Sequence, residues 1–290
     1  MRRVALFLAG ALLLAAQPAA AAVSHPKKVV LVRGVIAAAA DGDHLVGWAG
    51  GHGRLALYDD RTGTKSLMDL DRSCTRIVPI DASSGFFLIS CGINGPEGPE
   101  SFPIVFDTST GTSVVPPAAV YDRIGTQWLE GTMESGARTV VVYTNWHTGE
   151  IRSEGEAPRG EVRTPFDLDS ENLDAVALAA VNFAVGPGRA LEQVRSRGRW
   201  TIHLMARMDD KRLTTCAHKC RPLSMKGGLA LWDDGSTKLF GYQLSSPHRR
   251  REWRISDGAI VRGVTRKQIY YLTPSTSSPQ FSDLRAFPWR

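Results

Sequence analysis

Cysteine carries the most defined chemistry in this chain. The four cysteines fall into two close pairs, Cys74 with Cys91 and Cys216 with Cys220. An even count reads as two disulfides in an oxidising compartment, and proximity favours these pairings among the three that four cysteines allow. His218 lies between Cys216 and Cys220, so metal binding is the competing chemistry there. A closed zinc site needs four ligands and usually joins one short-spaced pair to a second. No second pair exists, and the disulfide is the better reading.

The seven histidines, His25, His44, His52, His147, His203, His218 and His248, fall in separate stretches. Three of them could converge on a metal only if the fold brought distant segments to one axis, and spacing selects no such three. Asp167-Leu168-Asp169-Ser170-Glu171 resembles the start of a calcium loop. Asn172 and Leu178, however, stand where an EF-hand needs Gly and Glu, which leaves a polar turn. Asp41-Gly42-Asp43 and Asp59-Asp60 read likewise as turns, because short Asp side chains bond nearby backbone N–H groups. No metal or cofactor ligand is assigned.

Asn145-Trp146-His147-Thr148-Gly149 places an indole and an imidazole in one turn, as exposed aromatic turns do at binding surfaces. Trp146 and His147 are the candidates for ligand contact. The competing reading groups Trp146 with Trp48, Trp128, Trp200, Trp232, Trp253 and Trp289, spread almost one per repeat as large packing rings would be. No nucleophile elbow, zinc-protease motif, Walker loop or dinucleotide fingerprint occurs. Glycoside hydrolysis would need two carboxylates about 5 to 9.5 Å apart, and nothing selects a pair. No catalytic residue is assigned.

The elements that position these residues are short strands. Residues 27–36 form a β-branched run. Residues 37–43 read as a turn into a first unit with strands at 45–48, 55–58 and 64–70. A second unit spans 76–80, 86–91 and 103–106, with 92–101 as a Gly/Pro-rich loop. A third has strands at 126–133 and 139–144, then a polar loop at 155–164; these two loops would vary a binding face. Residues 166–170 read as an edge strand and turn, and 171–185 as a short helix or a buried strand. Strands return at 189–194, 200–206 and 211–216, then at 228–232, 238–244 and 249–255, and finally at 259–264, 268–272 and 283–289. Six imperfect units of about 35 to 48 residues, with five or seven as alternatives, predict an all-β chain folded as a single β-propeller of four-stranded blades. The N-terminal strand at 27–36 would complete the last blade.

LALYDDRTG, IVFDTSTG and YTNWHTG resemble the aromatic-Asp-x-x-Thr-Gly turns of WD-repeat-like and TolB-like propellers in exported bacterial proteins. The resemblance spans nearly the whole chain and implies a propeller fold without a particular activity.

At the N-terminus, Arg2-Arg3 precede an apolar run from Val4 to Ala16, interrupted only by Gly10, with Gln17-Pro18 and small residues after it. This pattern predicts a signal peptide over 1–22, cleaved near Ala22, and a propeller over 23–290 in a secreted or extracytoplasmic location. No later stretch is long and apolar enough to span a bilayer. The formal net charge is +6, dispersed except at residues 248–254. That basic run reads as a solvated outer strand, so no nucleic-acid partner is expected. The functional expectation is a non-enzymatic, monomeric scaffold for an unidentified protein or glycan. The alternative is a carbohydrate-active propeller enzyme, a glycoside hydrolase or lyase, with its site in the central funnel.

Overall fold

The computed structural model describes residues 23–24, 28–50, 53–70, 73–95, 98–156, 165–176, 182–206, 209–235, 237–275 and 280–290. They form six antiparallel sheets in a ring, a six-bladed β-propeller without helices. In blade 1 the strands run outward from the channel as Ala38–Ala40, Leu45–Ala49, Arg54–Asp59 and Thr64–Asp69. Blades 2 to 5 repeat that order, with inner strands at Arg76–Ser83, Val120–Ile124, Phe183–Gly186 and Arg221–Ser224. Blade 6 runs Ile260–Val264, Gln268–Pro274 and Ser282–Pro288, and takes its outer strand, Val29–Val35, from the other end of the chain. The closing strand is thus where the sequence placed it. No helix among the described residues is long and apolar enough to cross a membrane.

The Thr-Gly turns are built alike because their chemistry is local. Asp59 Oδ1 accepts the N–H groups of Arg61 and Thr62, and Asn145 Oδ1 those of His147 and Thr148. Gly63, Gly111 and Gly149 close these turns at φ of 76°, 71° and 76°, a region that favours glycine. Blade 1 adds a contact across the ring: Asp60 is buried and accepts from the hydroxyls of Thr265 and Tyr270 in blade 6.

Apolar side chains from adjacent sheets interlock between blades. Leu55 and Leu57 of blade 1 pack with Ile77, Phe87 and Phe106 of blade 2, around Cys74 and Cys91. The two cysteine pairs stand at bonding distance, with Cα–Cα separations of 5.3 Å for Cys74–Cys91 and 6.1 Å for Cys216–Cys220. The basic run forms the outer strand Arg250–Arg254. Trp253 points into the core, while Arg250 lies over the Trp232 and Phe240 rings. Val23–Ser24 pairs with this strand in parallel and covers its outer edge.

Three local expectations need correction. Ala38–Ala40 is an inner strand, not a turn; its small side chains suit the crowded axis, where all three are buried. Residues 92–95 and 98–101 extend a hairpin instead of looping out, pairing from Gly92↔Ser101 to Gly95↔Gly98. Backbone hydrogen bonds outweigh the local preference of Gly and Pro for turns.

Residues 165–176 form neither a strand nor a helix. They fold back through a Phe166↔Ala175 bridge and wedge beside blade 3, where Leu168 and Leu173 pack on Trp128 and Tyr143. The Leu168 carbonyl accepts from the N–H groups of Gln127 and Trp128. Gly125 permits the approach, since a Cβ there would lie 2.3 Å from the Leu168 backbone. Asp167 and Asp169 serve as turn residues: they accept from the N–H groups of Gly188 and Thr126 at 2.7 Å each. The predicted loop at 155–164 lies outside the described residues beyond Glu156, as do residues 177–181.

Blade 4 holds a buried carboxyl that makes stability pH-dependent. Glu192 is 6% exposed, and its Oε1 has no partner among the described residues. Burial, with Asp210 nearby, pushes its pKa up to about 7. The raised value means that its stabilising contribution is complete below the unfolded pKa and is lost as pH rises through about 7. Glu192→Gln should match the parent near pH 4 and exceed its stability near pH 8 by about 3 kcal/mol. Urea unfolding at both pH values checks this; an equal difference at the two would count against it.

Candidate functional site

Each blade turns its first strand toward the axis, and four of these six strands carry a β-bulge. The register shifts lie between Pro79 and Asp81, Tyr121 and Arg123, Pro222 and Ser224, and Val261 and Gly263. The extra residues are Ile80, Asp122, Leu223 and Arg262, and all four line a central cavity of about 230 Å³. A bulge re-aims the side chain it carries. In ring order Ile80 of blade 2 stands across from Leu223 of blade 5, and Asp122 of blade 3 from Arg262 of blade 6.

The charges around this cavity are unequally matched. Lys226 Nζ donates to Asp81 Oδ1 at 2.7 Å and to the Ala82 carbonyl. Asp81 Oδ2 accepts the Ile124 N–H at 3.0 Å, so this acid joins blades 2, 3 and 5. Arg123 donates to the buried Glu130 at 2.6 Å and lies over the Phe183 ring. Arg262 is different: its Nε is buried without an acceptor among the described residues. Burial lowers its pKa, although a guanidinium stays charged in proteins.

The channel opens on the face formed by the turns after each inner strand. This mouth has a volume of about 580 Å³ and is lined by residues including Asp41, Asp43, Asp169, Arg189, Lys226 and Arg266. Its acids are structural. Asp41 Oδ1 accepts the N–H groups of Asp43, His44 and Leu45 at 2.8, 2.9 and 2.9 Å, and Oδ2 that of Gly85 at 3.1 Å. Burial nevertheless raises the Asp41 carboxyl above its ordinary range. Asp43 pairs with Arg266 at 2.7 Å.

The aromatic pair chosen from the sequence separates by depth. Trp146 is 7% exposed, packed 4.9 Å from Phe86 in the seam between blades 2 and 3. Its expected exposure is corrected: the turn folds the ring inward, where its Nε1 meets the Gly125 carbonyl at 3.4 Å. His147 stays exposed, stacked on Trp146 at 3.6 Å, with Nε2 2.9 Å from the Thr126 carbonyl. Of the other histidines, His25 and His52 lie outside the described residues, and the described ones do not gather. His203 pairs with Asp210, His44 with Asp43, and His248 stacks on Tyr242. Among the described residues no three His, Cys, Asp or Glu side chains stand where they could hold a metal.

Sequence reasoning did not single out the channel residues. The available signal was a charge within an apolar inner strand, as in Ile260-Val261-Arg262-Gly263-Val264 and Val120-Tyr121-Asp122-Arg123-Ile124. Such a strand looks half-exposed until its place at the axis is known.

No protein-family model matches this chain, and no curated protein matches it. Among solved structures, the RRP9 WD40 repeats align over 92% of this chain and 100% of theirs, at 9% identity and a TM-score of 0.50. An oligogalacturonate lyase in complex with manganese aligns over 91% of this chain and 98% of its own, at 13% identity and a TM-score of 0.44. The likeness is one of fold. A propeller is a frame on which many activities are built, so function rests on the residues of this channel and its rim.

Proposed function

We propose that this chain is an exported propeller that acts by binding, as a monomeric scaffold for a protein or glycan partner outside the cytoplasm. One observation carries the reading: four acids at the channel and its mouth, Asp41, Asp43, Asp81 and Asp169, already hold the loops together. Asp41, Asp81 and Asp169 accept backbone N–H groups, and Asp43 and Asp81 pair with cations. A general acid or base must instead keep its carboxyl within reach of the substrate. The leader-like segment at 1–22 and the two cysteine pairs fit an oxidising compartment. His147, exposed on the face of the channel mouth and supported by Trp146, is the proposed rim contact.

The test is a glycan array and an immobilised-protein screen with residues 23–290, run beside a polysaccharide turnover panel. Saturable binding without product, weakened at least tenfold by His147→Ala, is expected. Product formation that stops in Asp81→Asn would overturn the reading.

A further inference from the structure

We propose that the central channel binds a small organic anion, whose carboxylate or phosphate group is held by Arg262. The inference rests on the binding reading above and deepens it, by placing a small ligand on the axis separately from any partner on the rim.

Arg262 is the bulged residue of the blade 6 inner strand, so the backbone aims it into the cavity instead of along the sheet. Gly263 seats that bulge at φ +146°, where a Cβ would meet the Ala40 Cβ at 2.8 Å. The arrangement therefore depends on close packing between blades 6 and 1. A guanidinium presents five donors in a planar fork suited to an oxyanion. Here the Nε is buried and unmet, a state that needs an explanation because unpaired buried donors are costly.

The other two cations in the cavity have partners. Lys226 is held by Asp81, and Arg123 by Glu130. Arg262 appears in no ion pair among the described residues. Ile80, Phe183, Leu223 and Val261 supply apolar wall beside it, and such surroundings strengthen an ionic contact relative to water. The room is limited. A volume of about 230 Å³ falls below the roughly 300 Å³ at which drug-sized pockets begin, which favours a compact anion. Lys226 lines both the cavity and the mouth, so entry from that face passes a second cation.

Calorimetry on residues 23–290 with inorganic phosphate, succinate and neutral succinamide tests the proposal. One saturable site for phosphate or succinate is expected, with none for succinamide; the two anion arms identify the preferred oxyanion. Arg262→Gln should weaken that binding at least tenfold, and Arg262→Lys should restore part of it. Arg249→Gln, on the exposed approach to the blade 5 outer strand, should leave it unchanged. Thermal melts establish that each variant is folded, and Arg262→Lys carries the test if Arg262→Gln is not. Absence of saturable binding, or equal binding by a folded Arg262 variant and the parent, would overturn the proposal. Rim binding that persisted alongside such a result would leave the scaffold reading standing.

Discussion

Replacing Trp253 with alanine is expected to lower the unfolding free energy by about 3–5 kcal/mol, the usual range for emptying an aromatic site in a packed core. Trp253 is 1% exposed and packs with Leu229, Leu239, Val264 and Ile269 across the seam of blades 5 and 6, with its ring 5.9 Å from that of Phe287. The strand beside it has been shaped to the indole: a Cβ on Gly241 would fall 2.7 Å from the ring. Gly241→Ala should therefore destabilise the parent, yet cost little once Trp253 is alanine. Urea unfolding of the two single variants and the double variant measures this coupling. The same cost for Gly241→Ala in both backgrounds would show that the glycine answers to something other than the ring.

Loss of the Cys74–Cys91 bridge ranks next. The pair closes a segment with a sequence separation of 17, and a loop of that size corresponds to about 3 kcal/mol of stabilisation. Both cysteines are also buried among Leu55, Ile77 and Phe87, so reduction leaves two thiols inside the seam of blades 1 and 2. The Cys216–Cys220 bridge has a separation of only 4, and its removal should cost roughly 1 kcal/mol less, because the constraint grows with the logarithm of loop length. Denaturant unfolding of the paired Cys→Ala variants, in oxidised and reduced buffer, gives both values. The reverse ranking would contradict this account.

Features whose causes are local were legible in the sequence. Asp59, Asp107 and Asn145 announce their turns because the side-chain acceptor, the Thr and the Gly all lie within five residues. The closing strand at Val29–Val35 was readable from its β-branched run and from a last unit that lacked a strand. Features set by distant neighbours were not. Ala38–Ala40 has nothing in its composition to mark a strand; its role follows from the lack of space at the axis. Leu168 is a wedge only because Gly125, far away in sequence, leaves it room. Arg262 became a candidate once the bulge and the five other inner strands were in place. Trp146 and His147 stack on each other within their turn, but a turn motif does not record which of two adjacent rings faces inward.

The pairing of Val29–Val35 with Ser282–Pro288 has a consequence for how the ring is made. Each of the other five sheets has its four central strands within one short stretch of chain and can be completed as that stretch emerges. The sixth must wait until residues near both ends meet, a contact of the longest range in the molecule and of the kind that slows folding. Until then the chain is an open arc whose first and last seams face water. Cooperativity of the whole ring therefore passes through one hairpin-like joint made from strands that are strangers in sequence.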